Sequence, residues 1–135
     1  MTVTPGLEVL LSARRELIAG RRVGLLCNPT STDRRLVHAA ELLPRARAEV
    51  AALFGPEHGV GGTVQDMVGV ASDTTERGVS VFSLYGSSAE TLSPRPEWVR
   101  DVDVVVVDLQ DLGVRYYTYA WTMALMLRVC AAEGV

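Results

Sequence analysis

The sequence lacks the features that mark several common classes of protein. It contains no lysine, so all thirteen basic residues are arginine, and the net charge at pH 7 is −3. A nucleic-acid-binding domain normally carries a basic surface, so this balance argues against nucleic acid as a partner. The two cysteines, Cys27 and Cys130, are far apart in apolar runs and form no CxxC pair. We expect both to be small buried hydrophobic residues, and we expect no metal or cofactor.

Signals for export or membrane insertion are also missing. Residues 1–10 contain no cationic region followed by an apolar stretch. The longest apolar run, residues 102–109, is interrupted by Asp103 and is far shorter than the roughly 20 residues that a membrane helix needs. We therefore expect a cytoplasmic protein with no membrane partner.

Common catalytic and nucleotide-binding motifs do not occur either. The sequence has no GxGxxG after a strand, no phosphate-binding GxxxxGK[ST] loop, no HExxH and no GxSxG. The glycine-rich residues 59–62 follow a loop and do not open an obvious helix. A phosphate or nucleotide site of general Rossmann type stays as a weaker alternative, which would require backbone N–H groups around an anion at a helix N-terminus.

The 135 residues that are present are enough for one domain, which we place at residues 1–135. Apolar runs alternate with helical patterns, which predicts an α/β fold: a Rossmann-like parallel sheet with helices on both faces. The valines of the last run indicate burial on both faces of the sheet. Residues 60–78 and 85–94 are predicted loops. The predicted strands are 22–27, 49–54, 79–84 and 103–109, and the predicted helices are 7–19, 33–43 (capped by Asp33 and stopped by Pro44), 96–100 and 117–132.

Candidate site residues follow from this topology, because ligands of open parallel sheets bind beyond the carboxyl ends of the strands. Polar side chains concentrate at these positions, whereas the strands themselves are apolar. The candidates are Asn28, Pro29 and Thr30 after the first strand, Glu57 and His58 after the second, Tyr85 and Gly86 after the third, and Asp108, Gln110, Asp111, Arg115, Tyr116 and Tyr119 at the fourth.

Glu57 is the strongest candidate for acid–base chemistry. Pro56 stiffens its turn, and the glycines on either side, Gly55 and Gly59, let the backbone approach a ligand. The alternative is a turn glutamate that faces water. His58 is either a proton carrier or ligand of a sugar hydroxyl, or an ordinary loop residue.

A second carboxylate is expected if the chemistry is glycoside hydrolysis, and Asp108 and Asp111 are the candidates. Asp108 could instead bond to neighbouring backbone N–H groups, and Asp111 could simply cap its loop.

The segment from Arg115 to Tyr119 combines one cation with three phenol rings. Phenols stack on sugar faces, and arginine binds carboxylates in a fork. At the start of a helix, Tyr116 and Tyr119 would share one face, with Tyr117 turned away. Alternatively, these rings cap the core beneath the last helix. We expect Trp121, Met123 and Met126 to be core residues.

Four motifs, taken together, resemble the bacterial exo-β-N-acetylmuramidases. They are residues 25–30 (LLCNPT), 52–59 (ALFGPEHG), 81–86 (VFSLYG) and 108–119 (DLQDLGVRYYTY). The resemblance covers about residues 6–135. It implies an N-terminal Rossmann-like catalytic domain that is normally followed by a smaller C-terminal domain, absent from this chain, with the active site in the cleft between them.

The resemblance also implies a reaction and its residues. Family members release non-reducing terminal N-acetylmuramic acid from peptidoglycan fragments in cell-wall turnover and recycling, so a muropeptide or a muramyl-glucosamine saccharide is the expected substrate. The alternative is a non-catalytic sugar-binding or interaction domain that self-associates through the face normally covered by the missing domain. Glu57 matches the catalytic acid/base, and the residues expected to line the pocket are Asn28, His58, Gln110, Asp111, Arg115, Tyr116 and Tyr119.

Overall fold

The computed structural model describes residues 3–63, 73–75 and 78–135. All four predicted strands are present within one or two residues of their predicted bounds. The strands are β1 (Arg22–Cys27), β2 (Glu49–Gly55), β3 (Asp73–Thr74), β4 (Ser80–Ser83) and β5 (Val104–Asp108), and the helices are α1 (Gly6–Leu11), α2 (Ala39–Arg45), α3 (Pro96–Val99) and α4 (Tyr119–Glu133).

The described strands form one sheet in the order β3-β4-β2-β1-β5. The neighbours β4-β2, β2-β1 and β1-β5 run parallel, as predicted. The two-residue strand β3 pairs antiparallel with β4, so this edge of the sheet departs from the all-parallel prediction. Strand β3 lies within the loop predicted over residues 60–78, most of which falls outside the described residues.

A hydrophobic core on each face of the sheet confirms the α/β fold with helices on both faces. On one face, α1 and α2 cover the strand residues Val23, Leu25 and Leu53. On the other, α3 and α4 cover Leu26 and Phe54. The odd and even residues of β1 and β2 thus supply the two cores, as expected for strands inside a sheet that is covered on both sides.

The first two helices are shorter than predicted. Helix α1 ends at Leu11, and a separate 3-10 turn at Arg15–Leu17 follows it. Helix α2 begins at Ala39 because Asp33, the predicted cap, accepts hydrogen bonds from backbone N–H groups of the loop that precedes the helix. His38 provides the cap, since its Nδ1 accepts a hydrogen bond from Ala40 N at 3.2 Å.

The last strand and helix also differ in part from the prediction. The valines of β5 are only partly buried, because β5 is an edge strand. Helix α4 ends at Glu133, and Gly134 caps it with a left-handed backbone and a φ of 79°. Met126 is fully buried as predicted, but the core positions predicted for Trp121 and Met123 are wrong, since both side chains are exposed. The buried positions 122, 126 and 130 define the inner face, and residues 121 and 123 fall to either side of it.

Both cysteines are buried, as predicted, and neither forms a disulfide. Burial, together with the nearby Asp108 carboxylate, raises the pKa of the Cys27 thiol to about 12. Burial also raises the pKa of the Cys130 thiol, so both thiols are protonated at neutral pH. Among the described residues, no helix has the length and apolar character needed to traverse a bilayer.

Candidate active site

The Glu57 turn begins directly where β2 ends. Gly59 N donates to the Pro56 carbonyl at 2.9 Å, and both His58 and Gly59 adopt left-handed backbone conformations. A Cβ at Gly55 would lie 2.8 Å from the backbone nitrogen of Val60, so the chain can fold back this tightly only at a glycine. The left-handed conformation of His58 is uncommon for a residue with a side chain.

This turn places Glu57 in a pocket at the carboxyl end of the sheet. The glutamate is 8% exposed, and its Oε2 accepts a hydrogen bond from Thr118 Oγ1 at 2.9 Å. The pocket has a volume of about 360 Å³ and is lined by Glu57, His58, Tyr116, Tyr117, Thr118 and Tyr119.

Three phenol rings form the other wall of this pocket. Tyr117 and Tyr119 pack edge to face with their centroids 5.3 Å apart, and Tyr116 is 92% exposed at the rim. The prediction that Tyr117 turns away is wrong. Because α4 begins only at Tyr119, Tyr116 and Tyr117 precede the helix, and the helical spacing does not apply to them.

Asn28 lies at the neighbouring strand end, where β1 finishes. The side chain is buried, and its Oδ1 accepts hydrogen bonds from Thr30 N at 3.1 Å and from Thr30 Oγ1 at 2.8 Å. Asn28 N donates to Ser31 Oγ, and the Asn28 carbonyl accepts from His38 Nε2 at 3.0 Å. This network fixes the loop after β1 and directs the Asn28 side chain within it, although Asn28 does not line the Glu57 pocket.

Asp108 occupies a different environment from Glu57. Its side chain lines a small cavity beside α1, together with Leu7 and Leu10, and does not line the Glu57 pocket. Asp108 Oδ2 is buried and has no hydrogen-bond partner among the described residues. Burial raises the pKa of the Asp108 carboxyl, and the charge of His38 partly opposes this shift. Asp108 thus lies outside the lining of the Glu57 pocket, and its catalytic role stays a prediction.

The remaining candidates lie on the loop between β5 and α4. Asp111 accepts hydrogen bonds from Gly113 N at 2.7 Å and from Ala120 N at 3.3 Å, contacts of the loop-capping kind. Gln110 Nε2 donates to the Thr30 carbonyl at 3.4 Å and so links this loop to the one after β1. Arg115 is exposed and forms no ion pair within residues 3–63, 73–75 and 78–135. None of the three lines the Glu57 pocket, and their roles stay predictions.

Two residues important to this site escaped the sequence analysis. Thr118 lies inside the YTY string but was not predicted as a site residue, because its contact with Glu57 joins residues 61 positions apart. His38 was placed inside a helix, whereas it caps α2 and bonds to Asn28. In the described part of the chain, no group of three His, Cys, Asp or Glu side chains is arranged to hold a metal ion.

A buried carboxylate, an imidazole and phenol rings therefore meet at the carboxyl edge of a mostly parallel sheet. This defines the class as an α/β protein with a candidate ligand site beyond the strand ends. Within that class, the family model "Exo-beta-N-acetylmuramidase NamZ, N-terminal" matches residues 23–135, and the chain belongs to this family.

Individual relatives agree with this assignment. The chain is 38% identical to the peptidoglycan beta-N-acetylmuramidase NamZ of Bacillus subtilis (strain 168), over 98% of this chain and 32% of that protein. Crystal structures of two DUF1343 family proteins from Bacteroides fragilis superpose with TM-scores of 0.82 and 0.75, at 39% and 27% identity, covering 97% and 99% of this chain. The chain spans about a third of the length of each of these relatives.

Proposed function

We propose that this chain is the acid–base part of an exo-acting glycoside hydrolase. The proposed reaction releases terminal N-acetylmuramic acid from peptidoglycan fragments, such as a muramyl-glucosamine disaccharide, during cell-wall turnover and recycling in the cytoplasm. The observation that carries the proposal is the buried Glu57 carboxylate in a pocket lined by phenols. The name of the Bacillus subtilis relative, a peptidoglycan beta-N-acetylmuramidase, supports the substrate class.

In the proposed step, the protonated Glu57 carboxyl transfers its proton to the glycosidic oxygen as the bond from that oxygen to the anomeric carbon breaks. The departing saccharide leaves as an alcohol. The anomeric carbon then gains a bond to a water oxygen, and the water gives up its proton to a base. Asp108 and Asp111 are the predicted second carboxylates. Asp111 lies on the loop that leads into the pocket wall, but both of its carboxylate oxygens accept backbone hydrogen bonds, so a role as the base requires one of these bonds to break.

Substrate binding in this proposal uses the aromatic wall and the nearby loops. Tyr116 and Tyr119 have phenol faces and hydroxyls suited to a sugar ring. Arg115 is assigned to the lactyl carboxylate that distinguishes muramic acid from glucosamine, because its exposed guanidinium forms no ion pair among the described residues and suits a bidentate contact. Asn28, His58 and Gln110 supply the remaining polar contacts.

The alternative is a non-catalytic sugar-binding or interaction domain. The exposed apolar side chains on α4, with Trp121 72% exposed and Leu127 56% exposed, favour this second candidate, because such surfaces commonly mark protein contacts. The pocket would then bind the terminal sugar without cleaving it.

The test is release of N-acetylmuramic acid from a muramyl-glucosamine disaccharide. We expect Glu57→Gln to reduce turnover by at least 100-fold, because an amide cannot donate the proton. Glu49→Gln is the matched control, since Glu49 begins β2 at the edge of the sheet away from Glu57, and it should leave turnover unchanged.

A chimera that joins this chain to the remaining two thirds of the Bacillus subtilis relative separates the outcomes. If the chimera is active and the chain alone is not, the chain holds the acid–base residue but needs the rest of the cleft. If both bind the disaccharide and neither cleaves it, the sugar-binding alternative replaces the hydrolase. Full activity in Glu57→Gln would contradict the role of Glu57.

A further inference from the structure

Thr118 occupies the N-cap position of α4, yet its side chain does not cap the helix. An N-cap threonine usually accepts a hydrogen bond from the backbone N–H two or three residues further on. Here the hydroxyl donates instead to Glu57 Oε2, at 2.9 Å. The side chain that would normally stabilise the helix therefore contacts the carboxylate in the pocket.

Asp111 supplies the cap that Thr118 does not provide. Its Oδ2 accepts a hydrogen bond from the backbone N–H of Ala120, the second residue of α4, at 3.3 Å. Its Oδ1 accepts from Gly113 N and so fixes the loop that carries the carboxylate. An anionic acceptor at this end of a helix is also favoured by the helix dipole. Because Asp111 takes this role, the Thr118 hydroxyl is available to Glu57.

The backbone of Thr118 is held by the first turn of the helix. Its carbonyl accepts hydrogen bonds from Thr122 N at 3.0 Å and from Thr122 Oγ1 at 3.2 Å. Thr122 is itself buried, on the face of α4 that packs against the sheet. The donor that contacts Glu57 is thus attached to a packed helix, so the carboxylate is held by a rigid element.

We propose that Thr118 is a positioning residue for Glu57, an inference that rests on the proposed hydrolase function. The threonine hydroxyl has one proton to donate, and it donates this proton to Oε2. The other carboxyl oxygen, Oε1, then exchanges a proton with the glycosidic oxygen in the pocket. Thr118 fixes the plane and rotamer of the carboxyl group and takes no part in proton transfer to the substrate.

The decisive experiment observes the ¹³C signal of the Glu57 side-chain carboxyl at pH 7, assigned by its loss in Glu57→Gln. We expect Thr118→Val, which keeps the side-chain shape but removes the hydroxyl, to move this signal by more than its linewidth. Thr118→Ser keeps the hydroxyl and should leave the signal in place. Thr75→Val is the matched control, because the Thr75 hydroxyl accepts a hydrogen bond from Val79 N between β3 and β4 and supports neither Glu57 nor Thr118. An unchanged signal in Thr118→Val, or an equal shift in Thr118→Ser, would overturn the proposal.

A second measurement covers the case in which Thr118→Val does not fold. In the wild-type chain the Thr118 hydroxyl proton should exchange slowly with water and give an observable signal, because it is held by Glu57. A hydroxyl proton that exchanges as fast as that of an exposed threonine would overturn the proposal.

The activity measurement distinguishes this proposal from the proposed function. The measurement uses the chain alone or the chimera, depending on which one is active. We expect Thr118→Val to lower kcat about tenfold with little change in KM, and Thr118→Ser to restore kcat. If neither hydrolyses the disaccharide, the proposed function fails, while the carboxyl signal still decides whether Thr118 holds Glu57. A rise in KM with kcat unchanged would make Thr118 a binding residue and overturn the positioning role.

Discussion

At the scale of single residues, two carboxyl groups at the carboxyl end of the sheet have opposite environments. Glu57 is in a pocket and receives a hydrogen bond from Thr118, whereas Asp108 Oδ2 is buried without a partner among the described residues. An unsatisfied buried acceptor is costly, and the cost increases when the group is charged. Asp108 therefore weakens the fold at neutral pH, which is a common property of residues retained for a role other than stability.

This argument predicts that Asp108→Asn stabilises the chain. Because burial raises the pKa of Asp108, the folded state binds its proton more tightly than the unfolded state does. The Asp108 contribution is therefore most favourable at low pH and is lost as the pH rises through the folded-state pKa. We expect Asp108→Asn to raise the free energy of unfolding at pH 7 by less than about 1 kcal/mol, because Asp108 is only half-buried and solvent screens its charge, with the difference disappearing near pH 3.

Urea unfolding of both proteins at the two pH values measures this difference. Asp103→Asn is the control, because Arg22 holds the pKa of Asp103 low and the dependence on pH should have the opposite sign. If Asp108→Asn instead destabilises the chain at pH 7, the prediction is wrong, and the Asp108 carboxylate has a hydrogen-bond partner in solution.

At the scale of secondary-structure elements, the turn after β2 depends on one glycine. A Cβ at Gly55 would lie 2.8 Å from the Val60 backbone nitrogen, an atom that cannot move away without disrupting the turn. We expect Gly55→Ala to lower the free energy of unfolding by about 1–3 kcal/mol and to displace Glu57 from the pocket. Thermal unfolding and binding of the disaccharide measure the two effects.

Gly6→Ala is the control for this substitution. A Cβ at Gly6 meets no atom within 4 Å, and Gly6 lies in α1, where alanine favours the helix. We expect this variant to be as stable as the wild type or slightly more stable. Equal stability of Gly55→Ala and Gly6→Ala would mean that the turn has another way to fold.

These elements also show what the sequence could and could not reveal. The strands β1, β2 and β5 were predicted because their apolar runs are short and continuous, a local signal. Caps were predicted less well, since Asp33 binds backbone N–H groups of the preceding loop and His38 caps the helix, an arrangement that only the folded loop determines. The contact between Thr118 and Glu57 could not be predicted at all, because a long-range side-chain hydrogen bond leaves no trace in local spacing.

At the scale of the whole molecule, the outer face of α4 is unusual for a surface helix. Its outward positions are almost entirely apolar, and Arg128 is the charged residue among them. A helix that is apolar on all sides is normally buried on both sides, whereas this one packs against the sheet on one side only. Trp121 and Met123 were expected in the core because both side chains are large and apolar. The prediction failed because α4 is apolar on two faces, and within the described residues only the inner face packs against the sheet.

The uncovered face predicts that two copies of this chain associate through α4, the self-association that the sequence analysis anticipated. Leu127 is 56% exposed near the centre of the outward face, so a charge there would be buried between the two helices at high cost. We expect the wild type to form a dimer as its concentration rises, and Leu127→Glu to stay monomeric, in sedimentation velocity measurements.

Leu17→Glu is the control, because Leu17 is an exposed leucine (43%) in the 3-10 turn after α1. In the chimera, α4 would instead contact the added polypeptide. A chimera that is active and monomeric would show that this face of α4 packs against the rest of the family fold. A wild-type chain that stays monomeric at all concentrations, or a Leu17→Glu variant that loses the dimer as Leu127→Glu does, would rule out association through this face.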